Sequence, residues 1–145
     1  MSAAAGTLLA TTADEAETRR FGASLASRLA PHGVLLLSGD LGAGKTVLTQ
    51  GLAEGLGIAA GEVQSPTFTL VREHLAPSGA RLVHVDLYRL EPDEALDVGI
   101  EELLAGPGVK VVEWAERLPF AVPDALHLEL VRTAAGRAIR RRGES

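Results

Sequence analysis

Val34-Leu35-Leu36-Leu37-Ser38-Gly39-Asp40-Leu41-Gly42-Ala43-Gly44-Lys45-Thr46-Val47-Leu48 is the stretch on which the fold turns. Its first four residues are an uninterrupted apolar run, the pattern of a buried parallel strand. From Lys45 onward Leu48, Leu52 and Leu56 recur on one helical stripe, and Gly57 stands in the usual place after a helix end. Strand, Gly-rich turn and helix therefore follow in order. The turn itself, residues 39–46, matches G-x-x-x-x-G-K-[ST]. With this chain's own residue frequencies, about three such sequences per thousand would match by chance, before any demand for flanking structure.

The physical reason for the pattern is anion binding. Glycines let the backbone curl so that successive N–H groups aim at phosphate oxygens, and the helix N-terminus adds partial positive charge there. Gly39, Asp40, Leu41, Gly42, Ala43, Gly44, Lys45 and Thr46 are accordingly the candidate nucleotide-binding residues. Lys45 neutralises β/γ charge, and the Thr46 hydroxyl is spaced to ligate a magnesium ion bridging those phosphates. Lys45 and Lys110 are the only two lysines in the chain.

Working outward, Thr12-Ala13-Asp14-Glu15 reads as a capping box opening a helix with Phe21, Leu25 and Leu29 on one face, stopped by Pro31-His32-Gly33. Downstream, Thr67 to Glu73 and Arg81 to Val85 flank Ala76-Pro77-Ser78-Gly79 as an antiparallel hairpin. Pro92 to Leu104 is helix-like, and Val109 to Val112 reads as another buried strand. A last hairpin joins Leu126–Val131 to Arg137–Arg140. The expected fold is α/β: a three-layer P-loop NTPase-like domain with a mainly parallel central sheet and antiparallel additions. One domain over residues 1–145 is expected, with 1–6 and 141–145 as flexible ends.

Composition narrows the function. The chain has 145 residues, 46% of them hydrophobic, 23% charged and 3% aromatic, with a formal net charge of -5. That excludes disorder as the main state, and it leaves no aromatic array on which nucleic-acid bases could stack. Zero Cys removes disulfides, thiolate metal sites and cysteine catalysis. No apolar run approaches a membrane span and the start lacks a leader pattern, so the cytoplasm is the default expectation.

Two strand ends offer the acidic partner that a P-loop enzyme needs for magnesium. Asp86 follows Leu82-Val83-His84-Val85, and Glu113 follows Val109-Lys110-Val111-Val112, both aimed at the carboxyl edge where the Gly-rich turn lies. Asp40 either orients an attacking water or caps the turn. Ser65-Pro66-Thr67 is positioned to act as a switch-like loop around a γ-phosphate, or as a simple strand lead-in. His84 reads as a packed or surface strand residue, and Trp114 as a packing anchor for the backbone of Glu113. The absence of any Asn removes the Asn-Lys-x-Asp guanine reader, which leaves ATP by elimination.

Taken in order, residues 39–46, Ser65-Pro66-Thr67-Phe68-Thr69-Leu70-Val71, His84-Val85-Asp86-Leu87-Tyr88-Arg89-Leu90 and Val112-Glu113-Trp114-Ala115-Glu116 resemble the TsaE family, once called YjeE. The likeness extends from about Thr7 to about Arg140. It implies a cytoplasmic ATPase of tRNA threonylcarbamoyladenosine synthesis that uses ATP and Mg2+, docks on the TsaD and TsaB proteins, and meets tRNA only through that complex. By the same resemblance Lys45 binds phosphate, Thr46 and Glu113 ligate magnesium, and Asp86 takes the Walker B position. Glu15 and Arg137 border the adenine, and Ser65-Pro66-Thr67 forms the switch-like loop. His74 stands where Tyr is common in the family. Two rival functions share the same loop: a small-molecule kinase, and a docking protein that binds nucleotide with negligible hydrolysis. The Arg140–Arg142 tail is expected to be solvated.

Overall fold

Leu35 and Leu37 point to one face of a sheet and Leu36 to the other, because successive strand residues alternate sides, and all three are buried. A strand apolar on both faces needs cover on both, which requires three layers. The computed structural model describes residues 7–40, 42–59, 63, 71–88 and 99–142. In chain order these form β1 (Thr7–Thr12), α1 (Glu15–Ser24), α2 (Ala26–Leu29), β2 (Val34–Gly39), α3 (Lys45–Gly55), β3 (Val71–Leu75) and β4 (Arg81–Asp86). Then follow α4 (Ile100–Leu104), β5 (Val109–Glu113), a 3-10 turn (Ala115–Arg117), β6 (Leu126–Thr133) and β7 (Gly136–Arg141).

The strands make one sheet in the order β1-β7-β6-β2-β5-β4-β3. Its centre, β6-β2-β5-β4, is parallel, and antiparallel strands β7 and β1 on one side and β3 on the other extend it. The expected three-layer P-loop-like α/β fold is the one observed. Leu25, Leu29, Leu48 and Leu52 of α1 to α3 and the loop between them cover one face over Leu35, Leu37, Val111 and Leu128. Ile100 and Leu104 of α4, with Leu118 and Phe120 beyond the 3-10 turn, cover the other over Leu36, Val83, Val85 and Val112.

Helices α1 and α3 touch through glycine. A Cβ on Gly51 would stand 1.9 Å from the Arg19 carbonyl oxygen, and one on Gly22 would stand 2.2 Å from that of Leu48. The backbones therefore meet where side chains are missing, which fixes α3 against α1.

Five sequence expectations need correction or completion. The helix cap is Asp14, whose carboxylate accepts from the Glu17 N–H at 2.9 Å while Glu17 Oε1 accepts from the Ala13 N–H at 2.7 Å. The capping box thus lies two residues beyond Thr12 and Glu15. Thr12 is taken by β1, where it pairs with Arg137, and its buried hydroxyl bonds that of Thr18 at 2.7 Å. The helix expected through Leu29 is broken at Leu25 into α1 and α2. Arg140 and Arg141 belong to β7 and Arg142 lies 3.4 Å from Glu129, so the backbone here is a paired strand rather than a loose tail, while the Arg141 side chain is exposed as expected. Of the Pro92–Leu104 helix, Ile100–Leu104 is helical and 92–98 lies outside the described residues, as does the 67–70 part of the first hairpin.

Candidate phosphate-binding site

β2 ends at Gly39 and α3 begins at Lys45, and the turn between them can form because its glycines take backbone angles that side chains resist. Gly39, Gly42 and Gly44 have φ of 133°, 77° and 105°, all in the region that favours glycine. Gly44 is the N-cap of α3, and Ala43 is fully buried beneath the loop. Two arginines hold the loop from outside. Arg137 donates to the carbonyls of Ala43 at 3.0 Å and Gly42 at 3.2 Å, and Arg132 donates to that of Gly42 at 3.3 Å. β6 and β7 therefore brace the turn that β2 feeds.

Lys45 is the centre of the site. Its Nζ donates to the carbonyls of Gly39 at 2.6 Å and Asp40 at 2.8 Å, and the ammonium lies 4.1 Å from the centroid of the Trp114 ring. Burial pushes its pKa below the ordinary lysine value, against the opposing pull of the Glu116, Glu113, Asp40 and Asp86 carboxylates. Trp114, at φ 63°, turns its ring toward this cation and lies 5.0 Å from the Tyr88 ring. The sequence reading of Trp114 as a backbone anchor omitted that contact.

Strand parity brings the carboxylates together. On β4, His84 and Asp86 share the face of Leu82, and on β5 Glu113 shares the face of Val109 and Val111, which α3 covers. The register sets Asp86 beside Glu113 at the ends of adjacent parallel strands. From α3, the Thr46 hydroxyl donates to Glu113 Oε1 at 3.0 Å, and Glu113 Oε2 faces His84 Nε2 at 2.5 Å. Asp86 Oδ1 accepts from the Tyr88 N–H at 2.9 Å.

The remaining predicted residues divide. Asp40 supplies its carbonyl to Lys45, and its side chain is exposed. Arg137 is at the loop, while Glu15 is exposed in the first turn of α1, which starts at the same sheet edge. Leu41, Ser65, Pro66 and Thr67 lie outside the described residues. Sequence reasoning missed Arg132, the Gly39 N–H bond to Glu116 at 3.4 Å, and the part played by His84. Only His84 left a signal, its two-residue spacing from Asp86.

In open α/β sheets, ligands bind beyond the carboxyl ends of the parallel strands. A glycine turn with a buried lysine at that edge makes this a P-loop-type α/β domain. Residues 12–141 match the family described as "Threonylcarbamoyl adenosine biosynthesis protein TsaE". Among proteins named tRNA threonylcarbamoyladenosine biosynthesis protein TsaE, that of Bacillus subtilis is 43% identical over 125 residues, 86% of this chain and 77% of its own. That of Nostoc sp. is 46% identical over 112 residues, 74% of this chain and 68% of its own. A crystal structure of Bacillus subtilis YdiB superposes with a TM-score of 0.70 at 34% identity, covering 94% of this chain and 84% of that one. The chain belongs to the TsaE family, whose name places it in the synthesis of threonylcarbamoyladenosine in tRNA. No helix among the described residues is long and apolar enough to cross a membrane.

Proposed function

We propose that the chain binds ATP with Mg2+ at residues 39–46 and hydrolyses it in the cytoplasm, acting on a complex of TsaD and TsaB and meeting tRNA through that complex. The observation that carries this reading is the convergence of Lys45, held inside the loop, with the Thr46–Glu113 pair 3.0 Å apart at the same edge. A hydroxyl and a carboxylate at that distance are the oxygen donors that magnesium prefers, and Asp86 is next to them in register. Among the described residues no cluster of three or more His, Cys, Asp or Glu could hold a metal alone. That suits magnesium, which usually takes one or two protein oxygens and completes its shell with phosphate and water.

Bound Mg2+ would neutralise charge on the transferred phosphoryl group. The chain's own part is positional. Lys45 supplies a partly desolvated cation, Thr46 and Glu113 supply the ligands, and Asp86, or Asp40 at the loop, orients the attacking water. Arg132 and Arg137 keep the loop in shape, with Arg137 and Glu15 beside the adenine, and Ser65-Pro66-Thr67 keeps the γ-phosphate-sensing role that the family resemblance gives it.

Phosphate release from MgATP tests the proposal. Release should rise when TsaD and TsaB are added, and Lys45→Ala should lower it about 100-fold or more. Transfer of the γ-phosphate to a small metabolite would favour the kinase reading. Binding with no release, partners present, would favour the docking reading. Turnover unaffected by Lys45→Ala would remove the phosphate assignment altogether.

A further inference from the structure

We infer that His84 is a positioning residue that fixes which oxygen of Glu113 is presented to Thr46 and to a metal ion beside it. His84 has no exposed surface, and the Glu113 side chain is 3% exposed. Each oxygen of that carboxylate has one partner in this group: Oε1 accepts from Thr46, and Oε2 lies 2.5 Å from His84 Nε2. A buried carboxylate free to rotate would offer either oxygen, or both. The ring removes that freedom by occupying Oε2, so a single oxygen faces α3.

The ring's other nitrogen identifies the proton. His84 Nδ1 is buried and has no partner among the described residues. A buried N–H without an acceptor costs more than a buried lone pair, so the proton belongs on Nε2, where it donates to the carboxylate. Nδ1 then keeps its lone pair. This is the arrangement by which groups behind a ligand set its orientation and basicity. The sheet imposes the geometry: His84 pairs with Val111, so its ring on β4 reaches along the α3-facing side to the next inward residue of β5, Glu113. The inference rests on the proposed role of Glu113 at magnesium, and it adds a residue that acts through Glu113 without touching nucleotide.

The test measures ADP affinity with and without magnesium in wild type, His84→Leu and His84→Gln, alongside thermal unfolding. The metal-free affinity serves as the internal reference. Wild type should bind more tightly with magnesium, and His84→Leu should lose about 10- to 100-fold of that enhancement. His84→Gln, which keeps an N–H near Oε2, should recover most of it. A histidine that only fills space would lower the unfolding temperature in His84→Leu and leave the magnesium enhancement at the wild-type level, and that result would overturn the inference. Failure of His84→Gln to recover more than His84→Leu would do the same. Wild-type affinity indifferent to magnesium would instead remove the metal reading, and this inference with it. Independently of any variant, a 15N–1H spectrum of the wild-type ring should show the proton on Nε2, and a proton on Nδ1 would contradict the assignment.

Discussion

A buried cation is costly unless the protein replaces the water it loses, and Lys45 shows how the loop does so. Two carbonyls of the loop accept from it, and the Trp114 ring covers it at 4.1 Å, a contact worth about 0.5–2 kcal/mol. Trp114 adopts a left-handed backbone conformation to place that ring, at a cost of about 1–3 kcal/mol. Such strain clusters at functional sites. Glu113 carries the next step of the account, since it is the carboxylate that Thr46 reaches. Glu113→Ala should weaken the effect of magnesium on nucleotide binding more than it weakens metal-free binding, as titrations with and without the metal would show. Equal losses in both would argue against Glu113 as a ligand. Lys45, Thr46, Glu113 and Asp86 were legible in the sequence because each sits at the end of an apolar run or inside a fixed spacing. His84 was legible only as a neighbour of Asp86; its pairing with Glu113 was not, because the two are 29 residues apart and meet only once β4 and β5 are in register.

At the level of elements, the β2–loop–α3 unit is local, and it is the part the sequence specifies most completely. β1 is different. Thr7-Leu8-Leu9-Ala10-Thr11-Thr12 has exposed Leu8 and Leu9 and no clean alternation, so nothing local marks it as a strand. Its pairing with β7 at the far end of the chain creates it, and that pairing also moves the helix cap from Thr12 to Asp14. Lys110 links elements at the opposite edge of the sheet. Its Nζ donates to the carbonyls of His32 at 2.9 Å and Gly106 at 2.5 Å, joining the turn before β2 to the turn before β5. Burial pushes its pKa below the ordinary value of 10.5. The folded chain therefore holds this proton less tightly than the unfolded chain, so the charge costs stability at neutral pH. That cost falls as pH rises from the lowered value toward 10.5. In denaturation series, the stability of wild type minus that of Lys110→Met should increase across that interval. A difference that stayed flat or fell would contradict the assignment.

For the whole molecule, the sheet is what assembles the site. β2 delivers the loop, β4 and β5 deliver Asp86 and Glu113 as direct register partners, and β6 and β7 deliver Arg132 and Arg137 to the loop's outer carbonyls. The loop, Asp86, Glu113 and Arg132 come to the carboxyl edge because the four central strands are parallel, and Arg137 joins them because the β6–β7 hairpin turns back there, setting it opposite Arg132 at the start of antiparallel β7. The fold class was readable from continuous apolar runs separated by helical stripes, whereas the strand order depends on long-range pairings that leave no local trace. A crystal of the protein grown with magnesium and an unhydrolysable ATP analogue tests the central claim most directly. The analogue's phosphates should lie within the turn formed by residues 39–46, with Lys45 Nζ in hydrogen-bonding reach of a terminal oxygen and the metal between Thr46 and Glu113. An analogue bound elsewhere, with Lys45 still committed to the Gly39 and Asp40 carbonyls, would contradict it.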